Sequence, residues 1–290
     1  MEYSIGTVRS DKAGFSEIAG ITDATAKLTF GYLAINFSNC SFFDANMAAP
    51  LSAALERVKS QENIVEIVGL RSNVKTILCK NRFLCEYGFR RISDNNKTAL
   101  PYTCFDLTQS KGFWNYLSAH LDRDEMPIMS NELEKKFRQS ILEMFQNCVM
   151  HSSATSGVFV CGQFYPHDKR LKLTISDGGI GIRTSARKVP TNKMISSVDA
   201  IKWALKEGNT SKSGSEPGGF GLKLLQEFVE LNKGKVQVVS RYGYYEFDGS
   251  HAKFEKMTGD LQGTTVNLEI NTDDKKAYKL TSELTSKDIF

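Results

Sequence analysis

At 290 residues the chain is long for one ordinary domain and comfortable for two, and its 41% hydrophobic and 24% charged content suits a folded globular protein. A formal net charge of only +4, with the basic residues scattered, argues against nucleic acid or a membrane surface as partner. Six cysteines without a Cys-x-x-Cys pair and four scattered histidines leave no metal-ligand spacing. With no signal peptide and no apolar run of bilayer length, the expectation is a cytoplasmic protein with free thiols.

Residues 1–93 read as a small α/β regulatory or docking domain. Residues 32–37 are a short apolar run suited to a buried strand. Apolar residues at 47, 51, 54, 55 and 58 then share one helical face. Residues 64–68 are β-branched and predict a strand, and Asn73 is placed to cap a second helix holding Val74, Ile77 and Leu78. Residues 94–107 lose both periods, pass through Pro101 and read as a linker.

A second domain follows over 108–272. Helices are predicted at 112–121 and 132–150, then strands at 158–161 and 171–175 around a turn at 166–169. A helix at 196–207, a polar loop, a helix at 219–231 and strands at 236–240 and 264–270 complete it. Residues 273–290 are charged and expected to form a frayed polar tail.

Three clusters in this second domain carry the chemistry. Glu143, Asn147 and His151 are four apart, so on a helix each advances only ~40° around the axis and all three share one stripe. A carboxylate and an amide there can serve a hydrated Mg²⁺ through oxygen ligands. Asp177 ends a strand and enters a turn containing Gly178, Gly179 and Gly181, where a carboxylate could read the exocyclic amine of adenine. Gly218, Gly219, Phe220 and Gly221 open the helix that continues through Leu222, and free N–H groups at such a terminus favour phosphate. The small, polar stretch 208–218 before it reads as a mobile lid, with Lys212 as its phosphate partner. Neither a P-loop nor a dinucleotide fingerprint is present.

Together these clusters resemble the GHKL superfamily of ATP-binding domains over about 131–270. Glu143-x3-Asn147-x3-His151 is similar to its N box, Asp177-Gly178-Gly179-Ile180-Gly181 to its G1 box, and Gly218-Gly219-Phe220-Gly221-Leu222 to its G2 box. Gly263-Thr264-Thr265-Val266 is similar to its terminal strand. The resemblance implies an α/β sandwich with a mixed sheet, binding ATP between sheet and lid. It implies Asn147 as Mg²⁺ ligand, Asp177 on the adenine amine, and Gly179 and Gly181 at the adenine wall. It further implies Gly219 and Gly221 on phosphates, Thr265 supporting Asp177 through water, and Glu143 orienting the attacking water or hydroxyl.

Residues 1–93 resemble a STAS domain, the fold of bacterial anti-anti-sigma factors, through the stretch from Leu33 to Met47. Where that family carries Asp-Ser-Ser-Gly, this chain reads Asp44-Ala45-Asn46-Met47, so the phosphorylatable hydroxyl is missing. The resemblance leaves these residues as a module for a protein partner, with room for a homodimer.

The functional expectation is therefore an ATP-dependent switch, an ATPase, or a protein serine/threonine kinase of the anti-sigma type. A protein that binds nucleotide without catalysis is the alternative, with Glu143 arguing against it. A histidine-kinase-derived core is another, although only 22 residues separate His120 from Glu143, too few for a dimerising helical hairpin. A gyrase- or MutL-like clamp would need a following transducer domain.

Overall fold

The computed structural model describes residues 1–151, 156–206, 220–274 and 276–283, with backbone alone for His151, Phe220, Gly221 and Thr281. Strands and helices alternate through the N-terminal part: β1 (Glu2–Ser4), α1 (Lys12–Ala24), β2 (Tyr32–Asn36), α2 (Ala48–Lys59), β3 (Ile64–Val68) and α3 (Ser72–Lys80). Helical crossovers return each strand in the same direction, so the three pair in parallel in the order β1-β2-β3. Helix α1 was not expected, yet its signals are ordinary. Asp11 caps it by accepting from the Gly14 N–H at 2.8 Å, and Phe15, Ile18 and Ala19 are buried. Asn73 is not a cap. It lies inside α3 and donates its amide to the Ser41 carbonyl at 2.8 Å, while Arg71 occupies the cap position.

The C-terminal part runs β4 (Ala99–Phe105), α4 (Ser110–Leu121), β5 (Ile128–Met129), α5 (Asn131–His151), β6 (Val158–Tyr165) and β7 (Arg170–Asp177). It continues with α6 (Gly181–Ala186), α7 (Ser197–Ala204), α8 (Phe220–Asn232), β8 (Lys235–Phe247), β9 (Ala252–Asn271) and β10 (Ala277–Tyr278). Five strands form one sheet in the order β4-β6-β7-β9-β8. Every junction is antiparallel, where a mixed sheet was expected. The connections explain this. Hairpins join β6 to β7 and β8 to β9, and the helical return from β7 leaves one place open, which β9 fills.

Two sequence boundaries move. The 94–107 linker contains β4, which closes one edge of the sheet by pairing with β6, so the polar run before Pro101 leads into a strand. In the expected tail, β10 pairs in parallel with β5, and Tyr278 is buried against Phe228. The β8–β9 hairpin is also much longer than expected, turning at Asp248 and Gly249.

The sheet has helices on both faces. Along β7 the alternation is strict: Leu171, Leu173 and Ile175 join a core with Phe113 of α4, Phe145 of α5 and Phe228 of α8. On the other face, Phe159, Cys161, Val239, Met257 and Leu261 share a core with Phe15 and Ile18 of α1 and Leu51 and Leu55 of α2. The N-terminal part is thus a third layer over the sheet.

A buried polar network fixes that layer. Asp44 is 2% exposed and accepts from the Ser10 N–H at 2.7 Å and from Lys172 of β7 at 2.9 Å. Asn46, 0% exposed, donates to Thr174 at 2.9 Å and to Asn267 of β9 at 3.0 Å. Asn267 donates in turn to Gln237 of β8 at 2.7 Å, and Gln237 reaches the Ser10 carbonyl at 3.0 Å. Residues 44–47, where the phosphorylatable hydroxyl of the STAS resemblance is missing, are buried against the chain's own sheet. No helix among the described residues is long and apolar enough to cross a membrane, and the six cysteines are free.

Candidate nucleotide site

Helix α5 lies over the sheet with Ile141, Met144, Phe145 and Cys148 buried, a wide apolar stripe that leaves Glu143 and Asn147 half-buried at its margin. They stand one turn apart, as the spacing predicted. His151 is the last residue of the helix, and its side chain lies outside the described residues.

Asp177 occupies the last position of β7, on the α5 side of the sheet, and is 1% exposed. Its carboxylate accepts from the Gly179 N–H at 2.8 Å, from the Thr264 N–H and from the Cys148 thiol. Burial outweighs these three donors and pushes the carboxyl up to about 6. The Cys148 thiol is itself driven well above its ordinary range by burial and by the neighbouring Asp177 charge. A carboxylate kept in such a place is poised to accept from a ligand N–H, because the charged form gains most from another donor.

The turn after Asp177 requires glycine at Gly181. Its φ is +77°, and a Cβ would lie 2.8 Å from the Ser240 hydroxyl and 3.0 Å from the Gly263 carbonyl. Gly263, at φ +84°, brings β9 so close to β7 that a Cβ would sit 1.9 Å from the Asp177 carbonyl oxygen. Ser240 ties the two together, donating to the Gly263 carbonyl at 2.8 Å and accepting from the Ile182 N–H at 2.9 Å.

Thr265 does not meet Asp177. It pairs with Ser176 across the sheet, their hydroxyls 2.7 Å apart on the face covered by α1 and α2. Thr264 is the residue opposite Asp177 in register, half-exposed and 3.3 Å from the Ser240 hydroxyl. The strand alternation makes the difference, since a shift of one residue changes face. Cys148 and Ser240 were not singled out from the sequence either.

Gly179 is buried in the turn, and Leu222 packs partly buried against the α5-side core near the start of α8. Phe220 and Gly221 open that helix. Lys212, Gly219 and the whole 208–218 lid expectation lie outside the described residues. Among the described residues no group of three or more His, Cys, Asp or Glu side chains could hold a metal ion.

Residues 132–274 match the family model described as histidine kinase-, DNA gyrase B-, and HSP90-like ATPase. No curated protein matches the chain. The match spans α5, the Asp177 turn, α8 and the strands that pair with β7, and residues 132–274 are a domain of that ATPase family.

Proposed function

We propose that the chain binds Mg-ATP between α5, α8 and the β7–α6 turn and works as an ATP-dependent switch. In this reading it hydrolyses the nucleotide or passes its γ-phosphate to a hydroxyl of a partner protein. The observation that carries the reading is Asp177, a buried carboxylate at a strand end, flanked by a turn that only glycine can make. Asp177 offers an acceptor for the adenine amine, and the turn through Gly179 and Gly181, which closes tightly against β8 and β9 at Gly181, shapes the adenine wall.

Asn147 is the residue that would hold Mg²⁺, whose charge would offset that of the phosphates. Glu143, one turn away on the same stripe, orients the attacking hydroxyl and accepts its proton. Thr264, in place of Thr265, supports Asp177 from β9. The resemblance assigns the phosphates to Gly219 and Gly221, with Phe220, Leu222, Lys212 and His151 as the remaining members of the binding set.

A histidine-kinase reading is disfavoured by His120. Its ring packs 4.7 Å from Tyr116, and burial with Arg123 and Arg82 nearby lowers its pKa, which suits a packed helix residue. We read residues 1–93 as a STAS-like layer committed to the chain's own sheet. A protein partner then meets its outer surface, because residues 44–47 are buried.

Incubation with γ-labelled ATP and Mg²⁺, alone and with cell extract, tests the proposal. Label released as phosphate or transferred to protein is expected from wild type and lost in Asn147→Ala. Absence of turnover together with intact ADP binding would leave a nucleotide-binding module without catalysis.

The Asp177 carboxyl adds a pH signature. Its adenine-accepting form is the ionised one, so ADP affinity should fall as pH drops through about 6. One unit below that midpoint the loss should be about tenfold. Calorimetry between pH 5 and 8 checks this, and Asp177→Asn should remove that part of the pH dependence. Without ligand the sign is opposite. The raised carboxyl favours the fold at low pH, and that contribution is lost as pH rises through about 6.

A further inference from the structure

We propose that the chain carries a second small-molecule site, for a phosphate-bearing polar ligand, in the cleft between α2 and the outer side of the β7–α6 turn. The site goes beyond the nucleotide reading, because α2 lies on the sheet face opposite α5. The cleft encloses about 660 Å³ between α2, residues 178–180, Thr184, Arg241 and Gln262. That is within the ordinary range of ligand pockets.

Its charge balance points to an anion. Three cations line the cleft: Arg57, Lys59 and Arg241. Lys59 is paired with Glu56 at 2.7 Å, and Arg241 with Asp260 at 2.5 Å. Arg57 is half-buried and makes no ion pair within 4 Å among the described residues; its interaction with Asp260 is longer-range, and that carboxylate is already paired with Arg241. Two guanidinium groups therefore share one carboxylate among the described residues, only one of them at ion-pair distance, and the planar fork of the other matches phosphate oxygens.

Arg241 shows that the cleft is built rather than incidental. It holds φ +55° where the β8–β9 register shifts, a backbone region that disfavours a side chain, and from there it lines the cleft. Asp260 pairs with it at close range, with its second oxygen buried and without a hydrogen-bond partner among the described residues. The hydroxyls of Ser60, Ser156 and Thr184 add neutral donors around Arg57. A guanidinium with only a shared, longer-range carboxylate, set among hydroxyls, suits a phosphate monoester of a polar molecule; it does not suit a cation or an apolar ligand.

The test is calorimetric titration of the full chain with ribose 5-phosphate, with Mg-ADP present at saturation so that phosphate sites of the nucleotide cleft are filled. Saturable binding is expected, weakened at least about tenfold in Arg57→Ala, the scale of a charge-assisted hydrogen bond. Thr184→Glu, which adds a like charge at an exposed position of the cleft, should weaken it similarly. Unchanged thermal melting identifies variants that fold. No saturable binding by wild type, equal binding by folded variants, or equal binding of ribose lacking the phosphate would each overturn the site. If Mg-ADP itself does not bind, the proposed function fails, while the Arg57 dependence measured without ADP still decides this site.

Discussion

Replacing Asp44 by alanine should destabilise the folded chain by about 3 kcal/mol or more, the scale for leaving one partner of a buried ion pair behind. Lys172 points from the middle of β7 into the layer covered by α1 and α2, with its side chain 16% exposed. Its close partner is Asp44 at 2.9 Å, and Glu269 stands farther off at 3.9 Å. The same carboxylate also receives the Ser10 N–H and hydroxyl at 2.7 and 3.0 Å and the Tyr165 hydroxyl, so several buried donors lose an acceptor together. Urea denaturation of wild type and Asp44→Ala measures the effect. The double variant Asp44→Ala with Lys172→Met should recover much of the loss, because the stranded charge is then gone. A single variant as stable as wild type would mean that the N-terminal layer is held by its apolar core alone.

Glu143→Ala should lower ATP turnover about 10²- to 10⁴-fold, the usual contribution of a positioned acid–base group. Its nucleotide affinity should stay close to wild type, because orienting a nucleophile matters mainly in the transition state. Asn147→Ala should do the reverse and weaken Mg-ATP binding itself. The two residues are neighbours on one helix margin, so a general disturbance of α5 would affect both variants alike. Separate measurement of ATP affinity and of phosphate release or transfer distinguishes these cases. Wild-type turnover in Glu143→Ala would remove the catalytic role and favour a binding module.

Much of the site could be read from the sequence because local patterns carried it. The four-residue spacing on α5 survives in the fold since a helix preserves it, and Asp177 falls at the end of β7 as the apolar run before it implied. The error at Thr265 was avoidable. Val266, Leu268 and Ile270 mark the core face of β9, and their parity includes Thr264 and excludes Thr265.

Other features were not local. The Cys148 thiol meets Asp177 only through the packing of α5 on β7, which no spacing reveals. Likewise, nothing in the sequence marks Asp44 and Asn46 as buried, because polar residues usually are exposed. They are buried because Lys172, Thr174 and Asn267, more than 120 positions away, satisfy them. The antiparallel order followed from where β9 inserts, a long-range choice that strand periodicity leaves open.

The central claim is that Asp177 recognises the adenine of a bound nucleotide, and ADP affinity of Asp177→Asn tests it most directly. Asparagine keeps the size of the side chain and an acceptor for the Gly179 N–H, and removes the charge and one of the two acceptor oxygens. Calorimetry above pH 7, where the wild-type carboxyl is ionised, should show binding weakened by about 1.5–3 kcal/mol, roughly ten- to 150-fold. Wild-type ADP affinity in this variant, with the fold intact, would contradict the assignment.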